Sequence, residues 1–218
     1  MMTNVRADGL EAARIVVDSG AVYTRTSGEP FFFSSGWASP VFIDIKRLIS
    51  LPEARRRLVA MALDRIDDEI GSEGFDQIAG CELAGVPFAA MVADRLGLPL
   101  VVALKQARGF GRLSQFEGHF EPGTRTLLID DLTTDGRTKA TFRAALERAQ
   151  ARVVGIFVLL DYKVFPGSPE IVSLMTLADI VAVAERDGKL DPAALREVRD
   201  FAADAPNWSR RNGGIEKL

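Results

Sequence analysis

The stretch from Thr126 to Lys139, TLLIDDLTTDGRTK, constrains the fold more than any other part of this 218-residue chain. Three apolar residues at 127–129 predict a short buried strand, and two carboxylates, Asp130 and Asp131, follow at once. A threonine-rich loop comes next, and apolar residues then recur at helical spacing from Ala140 onward. The predicted order is therefore strand, acid pair, polar loop and helix.

This order suits a ligand that carries a phosphate. A loop that enters a helix leaves the first backbone N–H groups without partners, and the helix dipole adds partial positive charge there. Phosphate is the usual anion at such a place. Thr133, Thr134 and Thr138 add hydroxyl donors, and Gly136 lets the backbone come close. The two carboxylates would repel phosphate, so they suit sugar hydroxyls or a metal ion instead.

The acid pair also has a simpler explanation, because two acids after a strand often form only a turn and a helix N-cap. The whole pattern of strand, acids, threonine loop and helix favours the ligand site over that alternative. The stretch contains neither GxxxxGK[ST] nor GxGxxG, so it is neither a Walker A loop nor a dinucleotide fingerprint.

Strands and helices alternate beyond residue 75, which predicts a parallel sheet covered by helices on both faces. The strands are predicted at 75–79, 98–103, 127–129 and 153–160, with a helix at 85–96. Ligands of such sheets bind outside the carboxyl ends of the strands. Four segments that follow strands are therefore expected to share one edge of the sheet. They are 80–85, 104–112, 130–138 and 161–163.

The flanking parts of the chain predict helices and a few short strands. The N-terminal part contains a helix at 8–19 and hairpin-like strands near 22–24, 31–33 and 41–44. A long amphipathic helix begins at Pro52, and two closing helices are expected at 176–187 and 191–203. We expect the last twelve residues to fray, except that Trp208 is a candidate for docking on the core.

Composition narrows the class of protein. The chain has 27 Lys and Arg against 30 Asp and Glu, and this net charge of -3 argues against a nucleic-acid or membrane surface. One cysteine and one histidine exclude an internal disulfide and a structural zinc site. No apolar segment is long enough to span a bilayer, and no secretory signal is visible. We expect a soluble cytoplasmic protein.

Residues 104–124 form a segment too long and too polar for an ordinary connection. The segment contains Lys105, Arg108 and Arg112 among several glycines. A basic, glycine-rich loop beside a ligand edge is typical of a mobile lid over an anionic substrate. The alternative is a solvated surface loop.

Four segments resemble those of one enzyme family. They are SSGWASPVFID at 34–44, GCELAGVP at 80–87, LKQARGFGRLSQFEGH at 104–119 and the 126–139 stretch itself. Over about residues 10–205 the chain is similar to type I phosphoribosyltransferases, and within them it resembles the orotate phosphoribosyltransferase family. The resemblance implies an α/β type I phosphoribosyltransferase fold, with a central parallel sheet flanked by helices and a small N-terminal antiparallel hood. It also implies one domain over 1–218, with a hood to about residue 50 and a core at about 51–205.

The resemblance further implies an activity. Orotate and the Mg²⁺ complex of phosphoribosyl pyrophosphate (PRPP) would give orotidine 5′-monophosphate and pyrophosphate, a step of pyrimidine and UMP biosynthesis. The expected partners are these small molecules and a second copy of the chain. In the family's homodimers the lid loop acts on the neighbouring subunit's site. No nucleic acid and no membrane are expected.

The resemblance assigns roles to residues by position. Catalytic roles are implied for Arg108, Lys105 and Asp131. PRPP would be bound by Lys105, Arg108, Asp130, Asp131, Leu132, Thr133, Thr134, Asp135, Gly136, Arg137 and Thr138. The pyrophosphate loop would be Gly80, Cys81, Glu82, Leu83, Ala84 and Gly85. Orotate would contact Ser34, Phe42, Ile43, Thr134 and Tyr162. No direct protein ligand of the metal is implied, since PRPP would carry Mg²⁺ near Asp130 and Asp131.

Several positions depart from the family pattern. Leu104 stands where an arginine is usual, and Arg108 where a catalytic lysine is usual. Ser34 and Tyr162 replace a lysine and an arginine near the base, and Glu82 lies in a loop that should face a diphosphate. These departures leave two alternatives open. One is a PRPP-dependent transferase for another base, and the other is a PRPP-binding regulatory protein without turnover.

Overall fold

The computed structural model describes residues 7–107, 115–165 and 170–217, which form ten strands and seven α-helices. The strands are β1 Val22–Thr24, β2 Phe31–Phe32, β3 Ala38–Ser39, β4 Val41–Ile43, β5 Gln77–Cys81, β6 Leu100–Ala103, β7 Phe116–Glu117, β8 Arg125–Thr133, β9 Arg152–Asp161 and β10 Val172–Thr176. The helices are α1 Ala7–Asp18, α2 Pro52–Glu69, α3 Gly85–Leu96, α4 Arg137–Arg148, α5 Leu177–Arg186, α6 Pro192–Ala203 and α7 Ala205–Arg211.

Six strands form the central sheet, in the order β10-β9-β8-β5-β6-β7. All of its pairs are parallel except that β7 runs antiparallel to β6 at one edge. The carboxyl ends of the parallel strands therefore lie along one edge, and the loops that follow them meet there. The α/β class predicted from the alternating pattern is confirmed.

Successive side chains of the sheet enter two separate cores, one on each face. In β8, Leu127 and Ile129 belong to the larger core, which α1, α2, α3, α5 and α6 complete. Leu128 points to the other face, where Phe142 and Leu146 of α4 cover it. Burial on both faces explains why the central strands read as continuous apolar runs and not as alternating ones.

Two antiparallel pairs, β1 with β4 and β2 with β3, form the hood, which we define as residues 22–43. Its aromatic side chains pack on one another, with Phe42 touching both Tyr23 and Phe31. Three of the four strands match the sequence prediction. The fourth, β3, has no predicted counterpart, because two residues are too few to show a strand period.

The central strand β8 is longer than its apolar run. Its ladder with β9 continues past Ile129, so that Asp130 pairs with Val158 and Leu132 pairs with Leu160. Both acids are therefore strand residues, and the predicted strand end at residue 129 is wrong. The backbone pairing of β8 with the long strand β9, and not the polarity of its side chains, decides where β8 ends. The edge strand β10 likewise extends the sheet where the sequence shows no clear period.

The C-terminal segment does not fray. It forms α7, in which Trp208 is buried. The hydroxyl of Ser209, also buried, accepts a hydrogen bond from the Ala38 amide (3.0 Å) and donates one to the Ile215 carbonyl (2.6 Å). The Ile215 amide in turn bonds the Gly36 carbonyl at 3.1 Å. The predicted fraying is wrong because the polar tail completes the backbone hydrogen bonds of the hood.

These contacts predict that Ser209→Ala lowers the free energy of unfolding by about 1–3 kcal/mol, since the buried Ala38 amide loses its acceptor. Urea unfolding measures the change. The matched control is Ser50→Ala, which removes an exposed hydroxyl that bonds the Arg47 carbonyl, and its effect should stay within about 0.5 kcal/mol. Equal losses in the two variants would contradict the role given to the tail.

Candidate active site

A cavity of about 370 Å³ opens at the carboxyl edge of the sheet. Its walls come from the hood, the ends of β5, β6 and β8, and the start of α4. They are Phe32, Phe33, Ser34, Phe42, Lys46, Glu82, Leu83, Ala84, Lys105, Asp130, Asp131, Leu132, Thr133, Thr134, Asp135, Thr138 and Lys139. Three of the four segments predicted to share an edge contribute to this wall. The fourth, 161–163, does not reach it.

Asp130 and Asp131 both line the cavity although they are only 5% and 7% exposed. Lys139, which is 5% exposed, places its ammonium 2.5 Å from Asp130 Oδ2. The other oxygen of Asp130 accepts a hydrogen bond from the Asp131 amide at 2.9 Å. One of the two acids is thus neutralised inside the protein, while Asp131 has no such cation in contact among the described residues.

The electrostatics of the pair follow from this asymmetry. Burial, reinforced by the charge of Asp130, raises the pKa of Asp131 to about 7. Burial alone would lower the pKa of Lys139, but the charge and hydrogen bond of Asp130, together with smaller contributions from Cys81 and Asp131, outweigh it and the net shift is upward. Burial also raises the pKa of the nearby Cys81 thiol, with Asp130 adding to the shift. Lys139 therefore stays cationic, and Asp131 is short of positive charge.

Sequence reasoning missed Lys139. It took Ala140 as the start of the inward face of α4, but Ala140 is exposed, and the buried stripe runs through Lys139, Phe142 and Leu146. The spacing of Lys139 to these two apolar residues is the signal that was available. A lysine in a helix is ordinarily assigned to the solvent side, because a buried ammonium needs a partner. That partner lies on another element.

Residues 134–138, which we call the phosphate loop, join β8 to α4. Gly136 has φ of +79° and occupies the N-cap of α4, with no side-chain hydrogen bond to cap the helix. A positive φ at this point favours glycine over any other residue. An uncapped helix start leaves N–H donors for an anion. The hydroxyl-bearing Thr134 and Thr138 both line the cavity beside it.

The carboxylate of Asp135 is engaged inside the protein. Its Oδ2 accepts hydrogen bonds from the Trp37 indole N–H (2.9 Å) and from Arg137 Nε (3.0 Å). Its Oδ1 accepts one from the Arg137 amide (3.1 Å), and the Arg137 guanidinium also donates to the Ser35 carbonyl (2.6 Å). An acid in a phosphate loop would repel the ligand. Here two donors offset its charge and tie the loop to the hood.

The segment 80–85 divides into two parts. Gly80 and Cys81 are the last residues of β5, and Cys81 faces the smaller core. Glu82, Leu83 and Ala84 line the cavity. Glu82 Oε2 accepts a hydrogen bond from the Lys105 amide at 2.7 Å, which turns this carboxylate toward the neighbouring loop.

Gly85 begins α3 directly against the end of β8. A Cβ at this position would lie 2.7 Å from Asp130 Cα and from the Ile129 carbonyl oxygen. Only glycine permits this close approach of the two backbones. The contact sets the distance between the 80–85 segment and the acid pair.

The residues predicted to contact the base are not all brought together. Ser34, Phe42 and Thr134 line the cavity, whereas Ile43 and Tyr162 are 0% and 1% exposed and do not. The Ile43 amide donates to the Tyr162 hydroxyl at 3.3 Å, so it is already paired. Burial raises the pKa of that hydroxyl, which keeps it protonated.

The predicted lid is described only at its two ends. Lys105 lines the cavity, and Leu104 before it is 9% exposed and packs inward. At the far end of the segment, the short strand β7 pairs with β6. Arg108 and Arg112 lie outside the described residues.

Comparison with known proteins assigns the family. A model of the phosphoribosyl transferase domain matches residues 49–165. An orotate phosphoribosyltransferase of Allorhizobium ampelinum is 42% identical over an alignment of 216 positions that covers 94% of this chain and 93% of that protein. The chain belongs to the orotate phosphoribosyltransferase family.

Solved structures agree with this assignment. The orotate phosphoribosyltransferase of Aeropyrum pernix superimposes with a TM-score of 0.67 at 28% identity, over 82% of this chain and 99% of that one. The UMP synthase of Leishmania donovani gives a TM-score of 0.76 at 26% identity over 89% of this chain. This chain spans 42% of that longer protein.

Two departures from the orotate phosphoribosyltransferase pattern now have a structural description. The tyrosine at 162 is buried and bonds the hood strand β4 through Ile43, so it contributes packing at a place where the family pattern has a cation. The apolar residue at 104 likewise packs inward.

Among the described residues, no helix is long and apolar enough to cross a membrane.

The raised pKa of Asp131 predicts a stability that depends on pH. This carboxyl ionises near pH 3.8 in the unfolded chain and near 7 in the folded one, so the free energy of unfolding should fall as pH rises across that window. Replacing the acid by Asp131→Asn removes this dependence. The free energy of unfolding of Asp131→Asn minus that of the wild type should therefore rise by a few kcal/mol from pH 4 to 7, at about 1.4 kcal/mol per pH unit. Above pH 7 this difference should level off.

Denaturant unfolding at several pH values measures this difference without any ligand. Asp76→Asn is the control, because Arg125 holds the pKa of that exposed carboxyl below its usual value. Its contribution is present above its unfolded pKa and is lost only as pH falls through acid values. Wild-type and Asp131→Asn curves that stay parallel from pH 4 to 8 would contradict the environment described for Asp131.

Proposed function

We propose that this protein transfers the 5-phosphoribosyl group of PRPP to orotate, which gives orotidine 5′-monophosphate and pyrophosphate in pyrimidine biosynthesis. The observation that carries the proposal is the cavity in which a buried acid pair meets an uncapped helix start. The family to which the chain belongs supports it, as do relatives that share about four tenths of their residues with it over most of both chains.

Each part of PRPP has a matching group in the cavity. The 5′-phosphate is bound by the phosphate loop, with the hydroxyls of Thr134 and Thr138 and the amides that follow Arg137 in the first turn of α4 as donors. The Arg137 amide itself is engaged by Asp135. The ribose hydroxyls donate to Asp130 and Asp131. The diphosphate lies against residues 82–84 and Lys105, which line the same cavity.

The reaction requires positive charge on the sugar and negative charge on the leaving group to be stabilised at the same time. The bond from the anomeric carbon to the pyrophosphate oxygen breaks, and pyrophosphate leaves with the electron pair. Orotate N1 gives up its proton to solvent and forms the new bond to that carbon. Asp131 stands beside the ribose and favours positive charge on the ring. The lid residues Lys105 and Arg108 offset the charge that grows on pyrophosphate.

Magnesium fits this site as an ion that is bound to PRPP, and not as an ion that protein side chains hold by themselves. No group of three or more acidic, histidine or cysteine side chains that could hold a metal occurs in the described part of the chain. Asp131 has no cation in contact among the described residues, and burial together with the charge of Asp130 raises its pKa. Asp130 and Asp131 would therefore lie near an ion that arrives on PRPP. Such an ion supplies positive charge against the diphosphate and the ribose oxygens.

We further infer that the chain works in the cytoplasm as one phosphoribosyltransferase domain in a homodimer. The Lys105 end of the lid lines the cavity of its own chain. Arg108, three residues farther on, would reach the site of the neighbouring subunit.

The proposal predicts that the wild-type protein, PRPP and Mg²⁺ convert orotate to orotidine 5′-monophosphate, with uracil and purine bases used at least about 100-fold less efficiently. Arg108→Ala should lower kcat by about 100-fold, because it removes a cation from the departing pyrophosphate. Arg108→Lys, which keeps the charge, should retain much more of the rate. Arg56→Ala, at an exposed position on α2, is the control. Steady-state assays of product formation measure all four.

Other outcomes of this assay select the alternatives. Turnover of a different base would indicate another transferase. Calorimetric binding of PRPP without turnover of any base would indicate a regulatory protein. No product from orotate at any Mg²⁺ concentration contradicts the proposed function.

The dimer hypothesis predicts complementation between inactive subunits. Mixing equal amounts of Arg108→Ala and Asp131→Asn chains makes half of the dimers mixed, and each mixed dimer regains one intact site. Activity should recover to about a quarter of wild type if the subunits exchange freely. Sites complete within one chain would give no recovery, and that result would contradict the lid acting in trans. Each variant incubated alone is the control.

A further inference from the structure

Lys46 is a cation of the cavity wall that the family pattern does not account for. It is the second residue of a 3-10 helix, Ile45–Ser50, which follows β4 of the hood. Its side chain is 51% exposed and lines the cavity. The ammonium lies 5.4 Å from the centroid of the Phe42 ring and 3.0 Å from Asp44 Oδ1. It therefore stands at the hood end of the site.

Three lysines are found among the described residues of the wall: Lys46, Lys105 and Lys139. Lys139 is buried and is engaged by Asp130. Lys105 follows β6 and is linked through its amide to Glu82. Of the three, Lys46 is the one placed among the aromatic side chains, since Phe32, Phe33 and Phe42 line the same end of the cavity.

The contact with Asp44 leaves Lys46 able to bind a ligand. A lysine ammonium has three N–H donors, and Asp44 presents one oxygen to it within 3.0 Å. Asp44 is not part of the cavity wall, so a ligand in the cavity does not meet its carboxylate there. The ion pair holds the head group beside the Phe42 ring, where a cation is favourable.

We propose that Lys46 binds the carboxylate of the acceptor base and makes the site selective for an anionic pyrimidine. This inference rests on the proposed function. A flat base that enters this cavity among Phe32, Phe33 and Phe42 would bring its edge toward the ammonium that lies over the Phe42 ring. Ser34 and Tyr162 offer no charge to such a substrate, and Tyr162 lies outside the cavity. Lys46 thus supplies the positive charge that an orotate site needs.

The test compares two nucleotides that differ by one carboxylate. Orotidine 5′-monophosphate carries it, and uridine 5′-monophosphate lacks it. Calorimetry on the full-length protein should show that Lys46→Met weakens binding of orotidine 5′-monophosphate about tenfold, as expected for a lost charge-assisted hydrogen bond at a half-exposed site. Binding of uridine 5′-monophosphate should change by less than about twofold. Lys46→Arg should restore most of the preference.

Lys189→Met is a matched control. That lysine also pairs with an aspartate, Asp18, at 3.0 Å and is similarly exposed, but it lies away from the cavity. It should leave both affinities unchanged. In steady-state assays, Lys46→Met should raise KM for orotate about tenfold while KM for PRPP stays within about twofold.

Two results would overturn the inference. One is an unchanged preference for orotidine over uridine monophosphate in Lys46→Met. The other is an equal loss of affinity for both nucleotides, which would indicate that the substitution disturbs the phosphate end of the cavity or the hood. Binding of the two nucleotides needs no turnover, so this comparison can be made even if the wild-type protein does not convert orotate. Such a failure would refute the proposed function, whereas the role of Lys46 would still be decided by the two affinities.

Discussion

The ion pair between Lys139 and Asp130 is the interaction on which the site depends. Two adjacent carboxylates in the buried end of β8 would repel each other, and a buried unpaired charge is costly. Lys139 removes one of those charges from within the first turn of α4. The same contact fixes the start of α4 against the end of β8. Both ends of the phosphate loop are thereby held, so the direction of its amides follows from a charge contact.

A second set of contacts joins the hood to that loop. Trp37 is fully buried, stacks on Phe165 at 4.5 Å between ring centroids and donates to Asp135. On either side of Trp37, the backbone of Gly36 and Ala38 is bonded by the C-terminal segment. The end of the chain therefore supports the hood, and the hood supports the phosphate loop. This sequence of contacts explains why an aspartate is tolerated beside a phosphate.

The positions of the lysines around the cavity suit the proposed transfer between two anionic substrates. Lys139 is buried and balances an acid, while Lys46 next to the hood and Lys105 after β6 remain exposed. Two separated positive groups suit a reaction in which both substrates are anions and negative charge grows on the leaving group. The hood end combines an ammonium with aromatic rings, which is the combination that a charged aromatic base requires.

The amino-acid sequence determined the order of the elements, the parallel sheet and the edge at which its loops converge. Apolar runs, helical spacing and turn residues are local signals, and they sufficed to predict α3 and the 130–138 segment within a few residues. They also predicted that Asp131, Thr134 and Thr138 would share one edge of the sheet with Lys105, whereas only the family resemblance implied that Ser34 would join them.

Only the tertiary structure decided which polar groups pair with one another. It placed Lys139 against Asp130, Trp37 against Asp135, and Tyr162 against the Ile43 amide, away from the cavity. It also ordered the tail by giving Ser209 two backbone partners. The physical reason is the same in each case. Periodicity reports which side of an element is buried, but the cost of burying a charge or an amide depends on a partner that arrives from a distant part of the chain.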